Sequence, residues 1–295
     1  LLSRHAGNDV FVFDLATESV EVVSLTSNGD SGSLGSFSAT ISGDGRYIVF
    51  ESLAPNLAGL DVLPVQPPIG NTGGFGGAVY IRDRESLTTR AITPLTDPAS
   101  EWFGGGLPGM TENAEFVTFV SRNPGLAGTD SPTQGLHQYL WDRERDEIKS
   151  VPAPPPPDPG RFYLVRTISR AAISPNGRLV AYAFEAASEV QSPSGVYIAD
   201  MESGEVEEVP PGDFGATEAS TLVFDRSERL FFDAMGVGAV NEYDRENGTL
   251  SVVQSPSPNL FHPAPSADGR WLAGAYFDPP ADAGDLTGQV IVIAR

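Results

Sequence analysis

An all-β fold of repeated four-stranded sheets is what three features of this 295-residue sequence predict. A short phrase recurs about six times along the chain, its clearest copy running from Ile41 to Ser52 and resuming at Val79 to Arg84. The second half of each unit is an apolar run that ends in aspartate. No segment carries a 3.6-residue apolar period long enough for a stable helix.

The units follow in order. Asp44 with Gly45, Asn176 with Gly177 and Asp268 with Gly269 each stand between two apolar runs. Such pairs signal hairpins, because these residues accept the positive φ of a tight primed turn. Phe116 to Val120, Leu179 to Tyr182 and Trp271 to Ala273 are then second strands, and Leu230 to Phe232 follows a degenerate turn at Ser227 and Glu228. The aspartate-terminated runs are Phe11 to Asp14, Tyr80 to Asp83, Tyr139 to Asp142, Tyr197 to Asp200 and Asn241 to Asp244, with Val290 to Ile293 as a sixth that lacks the acid. A further strand follows each turn, as at Val20 to Val23 and Leu250 to Val253.

Successive terminal aspartates stand 69, 59, 58 and 44 residues apart. A propeller blade of four strands takes ~40 to 50 residues, so the excess belongs to loops. The expectation is a single β-propeller domain over 1–295, with blades near 1–30, 37–97, 106–154, 168–212, 218–255 and 261–295. Six blades accommodate both Phe11 to Asp14 and Val290 to Ile293 as third strands, leaving the terminal blades incomplete.

Composition narrows the function classes. The chain has no cysteine, which excludes disulfides, thiolate zinc sites and cysteine nucleophiles. Its 18 basic and 39 acidic residues give a net charge of −21, which repels phosphate backbones and makes nucleic acid an improbable partner. No apolar run approaches the ~18 residues of a membrane span, so no insertion is expected. Lys149 is the only lysine, which fits either GC-rich coding or an acidic surface adapted to salt. A monomer is expected. The first residue is Leu1, so a secretory signal can be neither seen nor excluded.

The phrase Ser42 to Ser52, the unit Ser174 to Phe184 with Val196 to Gly204, and Pro265 to Leu272 resemble the repeats of TolB-like β-propellers. The segments 52–61 and 121–130 are similar to the loop that secreted bacterial members place between second and third strands. The resemblance implies a periplasmic or extracellular protein. The family spans an envelope assembly factor, oligosaccharide lyases and the gating propellers of some serine peptidases. The lyases carry histidine-rich metal sites, whereas this chain has three histidines, at 5, 137 and 262. The peptidases need a nucleophile elbow, and no Gly-x-Ser-x-Gly occurs.

A propeller sorts its connections. First-to-second and third-to-fourth turns are short here, whereas the connections near 54–77, 123–135, 152–166, 185–194 and 277–288 are long. Length concentrated on one side predicts a contact face. Residues entering the first strands would rim the channel mouth there: Trp102, Phe103, Arg161, Phe162, Tyr163, Arg166, Glu218, Phe261 and His262. Aromatics with a few charges anchor recognition surfaces, although each also suits packing between blades. Acids in the same loops, chiefly Asp278, Asp282 and Asp285, offer oxygen ligands for calcium but lack a calcium-loop spacing; solvated surface acids are the plainer reading, and no cofactor is expected.

Two further motifs carry no function in this reading. Gly29 to Ser33 resembles a peptidase serine loop but serves as a connector, and 152–159 favours a polyproline spacer. The sequence therefore predicts a non-catalytic module that binds a protein or glycan. The alternative is a hydrolase or lyase using carboxylates at the channel mouth, with Glu218 and Asp213 the nearest candidates.

Overall fold

In the computed structural model the described residues are 8–59, 77–93, 105–121, 123, 125–127, 134–154, 164–167, 170–187, 194–210, 219–234, 239–254, 260–266, 270–277 and 288–294. They form strands and one short 3-10 helix, and they divide into two compact units, 1–132 with 136–150 and 133–135 with 151–295.

The first unit opens with a hairpin of β1 (Phe11–Asp14) and β2 (Ser19–Val22). A four-stranded antiparallel sheet follows: β3 (Ser36–Ile41), β4 (Tyr47–Ser52), β5 (Ala78–Asp83) and β6 (Thr88–Ala91), with the 3-10 helix η1 (Pro55–Ala58) after β4. The next sheet takes β7 (Gly106–Met110) and β8 (Phe116–Ser121). After β9 (Gln134–Gly135), a strand of the second unit, it adds β10 (His137–Asp142) and β11 (Glu147–Ser150).

In the second unit β12 (Leu164–Thr167), β13 (Ala172–Ile173), β14 (Leu179–Ala187), β15 (Ser194–Asp200) and β16 (Val206–Glu208) form a sheet that β9 joins in parallel through β12. The following sheet holds β17 (Ala219–Phe224), β18 (Leu230–Ala234), β19 (Ala239–Asp244) and β20 (Thr249–Val252). The last holds β21 (Leu260–Pro265), β22 (Trp271–Phe277) and β23 (Gly288–Ala294).

Five blades result, not the six expected. The segment Phe11–Asp14 pairs with Ser19–Val22 in a two-stranded ribbon, and among the described residues no first or second strand joins it to make a blade. Strand alternation explains the packing, since neighbouring side chains point to opposite faces. Ile48 and Phe50 bury against Val10 and Val23, which flank the ribbon, while Val49 turns the other way onto Val117, Phe119 and Trp141. In the second unit Leu179, Ala181 and Ile198 meet Leu222, Phe224 and Phe232, and Phe231 turns to Leu272. Each buried Phe or Leu contributes ~1.5 to 3 kcal/mol. Cross-strand aromatic pairs repeat at one register position: Phe50 with Tyr80, Phe119 with Tyr139 and Tyr182 with Tyr197, at ring separations of 5.8, 5.6 and 6.3 Å.

The recurrent polar residues have local causes. Each terminal aspartate folds the hairpin after it: Oδ1 of Asp83 accepts from Glu85 and Ser86 N–H, that of Asp142 from Glu144 and Arg145, and that of Asp200 from Glu202 and Ser203. Such side-chain acceptors replace a backbone turn. Arg46 and Arg178, which follow the turn glycines, reach across to Asp83 and Asp200. The turns themselves are not primed two-residue hairpins. Among their residues Gly45 and Gly177 take positive φ, 73° and 74°, whereas Asp44 and Asn176 accept the N–H of Arg46 and Arg178. Ser42 and Tyr47 close the loop around four residues. Ala114 and Glu228 hold the glycine position at φ 55° and 58°, which explains why the degenerate copies still turn.

A bulged first strand beside a carboxylate

Four first strands carry a register shift near their start: Phe37/Thr40, Gly106/Gly109, Ala219/Leu222 and Phe261/Ala264. In three of them the next residue, Ser38, Leu107 or His262, has a φ of 50–52°. A bulge leaves backbone groups without ladder partners. Two buried carboxylates answer this need from the same register position. Glu51 pairs across the ladder with Val79 and Asp233 with Val240, each one residue beyond the aromatic-pair site. Glu51 accepts the Leu107 N–H of the following sheet, and Asp233 Oδ2 accepts the His262 N–H at 3.1 Å. Asp233 Oδ1 also accepts from Thr221 N–H at 2.7 Å.

Burial pushes the Glu51 carboxyl up to about 7, against the smaller opposing effect of the Leu107 hydrogen bond. Neither acid was foreseen as a site residue. The signal that existed was an acid inside an otherwise apolar second strand, where charge is rarely buried unless it is partnered.

Candidate functional site

His262 is the rim residue whose surroundings are described. Its side chain is 61% exposed, and Nδ1 lies 2.8 Å from Thr221 Oγ1 and 3.8 Å from Asp233 Oδ2. β17, β18 and β21 bring the three together, and the bulge at His262 lifts its ring onto the surface. Both partners face the same ring nitrogen. A nucleophilic triad needs the hydroxyl on Nε2 and the carboxylate on Nδ1, so this arrangement does not activate Thr221. It leaves a largely exposed imidazole held at Nδ1.

The other foreseen residues fall differently. Arg166 lies in β12 opposite Glu185, and Phe261 lies in β21 opposite Ala275. Trp102, Phe103, Arg161, Phe162, Tyr163, Glu218, Asp213 and the calcium candidates Asp278, Asp282 and Asp285 lie outside the described residues. Among the described residues no group of three or more His, Asp and Glu is placed to hold a metal. The connections at 152–154, 54–59 and 123 are pinned by tyrosine hydroxyls, since Tyr182 donates to Pro152 O, Tyr80 to Ala54 O and Tyr139 to Asn123 O.

Face-packed antiparallel four-stranded sheets with bulged first strands and aspartate-capped outer hairpins define a β-propeller. No protein-family model matches the sequence, and no curated protein does. Solved structures do. TolB from Acinetobacter baumannii is 16% identical with a TM-score of 0.51, covering 96% of this chain and 56% of its own length. A putative TolB from Agrobacterium tumefaciens is 12% identical with a TM-score of 0.52, covering 96% and 83%. The fold is thus a TolB-like β-propeller, and this chain spans little more than half of the first of those proteins. Among the described residues no helix is long and apolar enough to cross a membrane.

Proposed function

We propose that this protein is a non-catalytic binding module of the bacterial periplasm or exterior, engaging a protein or glycan partner through its long-connection side, with His262 presented as a contact residue. The observation that carries this reading is the commitment of the local acids and hydroxyl to structure. Asp233 caps two backbone N–H groups, and Thr221 and Asp233 share one imidazole nitrogen. A general acid or base must reach a substrate proton, whereas the Asp233 oxygens reach the backbone and the Thr221 hydroxyl reaches the His262 ring. The net charge of −21 favours a partner with a neutral or basic surface.

The test is affinity capture from extracts of the native organism and a glycan array, with wild-type protein beside His262→Ala. A partner retained by the wild type and lost by the variant supports the reading. Equal retention by both removes His262 from the surface. A second reading, a hydrolase or lyase, is favoured by one observation, a largely exposed imidazole with a carboxylate 3.8 Å from its Nδ1. Cleavage of an envelope polysaccharide by wild type but not by His262→Ala establishes it and ends the non-catalytic reading.

A further inference from the structure

We infer that the hollow between the Thr26–Asp30 turn, η1 and β6 is a binding subsite for a neutral mono- or disaccharide. The hollow encloses about 470 Å³, at the smaller end of the ~300–1,000 Å³ of small-molecule sites. Its walls are fixed before any ligand arrives. Thr26 N–H donates to Asp30 O at 2.8 Å, and Thr26 Oγ1 accepts from Asn28 and Asp30 N–H at 3.2 and 3.0 Å. The turn is tied to β6 by Ser27 Oγ, which donates to Thr89 O and accepts Thr89 N–H. Arg82, 3% exposed, donates from beneath to Thr26 O and Thr89 Oγ1. On the opposite wall Asn56 spends its amide on Ser33 N–H and Ser31 O.

What the walls leave over selects the ligand. Among the described residues neither the Asn28 amide nor the Asp30 carboxylate makes a side-chain hydrogen bond, and both are exposed in the lining. An amide donates and accepts while a carboxylate accepts at two oxygens, which matches hydroxyls that do both. Arg90 also lines the hollow, held by Asp146 at 2.7 Å and stacked 4.7 Å over the Trp141 ring. Arg90 opposes a cation and Asp30 opposes an anion, so a neutral polyhydroxyl suits both. Ala58 and Ala91, both half-buried, supply a small apolar patch for the C–H face of a sugar ring, with the buried Leu57 beneath it. Prior fixing of the walls lowers the ordering cost of binding.

This inference rests on the binding reading, and it names the glycan class at one place. The experiment is calorimetric titration of the full chain with N,N′-diacetylchitobiose, cellobiose and maltose, repeated on the double variant Asn28→Ala with Asp30→Ala. At least one disaccharide binds with Kd of ~0.1 to 10 mM, a weak affinity of about 3 to 6 kcal/mol. The double variant weakens it tenfold or more without moving the unfolding midpoint. Absence of saturable heat with all three sugars overturns the inference, as does equal binding by the variant. Binding of lysine or citrate in place of the sugars overturns it in favour of a charged ligand. None of these results alters partner capture through His262, so the two readings fail separately.

Discussion

Replacing Glu51 by glutamine changes the pH dependence of stability in a direction fixed by its burial. The carboxyl moves from 4.5 unfolded to about 7 folded. A raised folded value means that the native state holds the proton more tightly, so the contribution is fully present below pH 4.5. It is lost as pH rises to about 7 and does not change above that. At ~1.4 kcal/mol per pH unit the loss is about 3 kcal/mol. Glutamine keeps an oxygen to accept the Leu107 N–H and does not titrate. Glu51→Gln should therefore gain on the wild type by about 3 kcal/mol between pH 4.5 and pH 8. Urea midpoints and slopes of both proteins, measured at the two pH values and constant ionic strength, check this. A stability gap that is the same at both values refutes the account of Glu51 as a buried bulge cap.

The remaining predictions concern the turns and one odd core position. Leu87 is 55% exposed at φ 57°, and Gly204 and Gly248 take the equivalent hairpin position in other sheets at φ 76° and 63°. The left-handed region costs a non-glycine residue ~1 to 2 kcal/mol, offset in part by the freedom glycine adds to the unfolded chain. Leu87→Gly thus stabilises by about 0.5 to 1 kcal/mol, and a lowered melting midpoint contradicts this. Asp200, 4% exposed, is held down to about 2, first by the Arg178 hydrogen bonds. Its contribution is present above the unfolded value of 3.8 and is lost as pH falls toward 2. The gap between wild type and Asp200→Asn should therefore narrow by about 1 to 2 kcal/mol in that window, discounting for a half-exposed Arg178; acid titration of the two unfolding midpoints reads it. Asn241 stands opposite Phe232 where tyrosines stand in the preceding sheets, and neither of its buried amide atoms has a partner among the described residues. Asn241→Leu removes that penalty and should stabilise by about 1 kcal/mol, whereas a less stable variant would show an undetected partner for the amide.

The fold was legible because each unit repeats a local cause. Asp83, Asp142 and Asp200 fold their own hairpins with oxygens two and three residues from the donors, so their spacing marks the blades without tertiary information. Gly45 and Gly177 were likewise readable, although the partner residue serves as an acceptor and not as a second positive-φ residue. Blade count was less legible. The run Phe11–Asp14 has the same sequence form as a third strand, and only its pairing with β2 alone, among the described residues, distinguishes a ribbon from a blade.

The candidate site was legible at one residue. His262 stood out as one of three histidines, but Thr221 and Asp233 lie 41 and 29 residues before it and meet it only across two strand ladders and a bulge. The hollow beside Thr26 was invisible for the same reason, since Thr26 and Thr89 are neighbours only after β6 forms. Short-range chemistry, namely turns, caps and alternation, is written between residues a few positions apart and so is determined by sequence alone. Which carboxylate is buried, which ring nitrogen is held and which turn walls a cavity depend on contacts between distant strands, and only the packed sheets decide them.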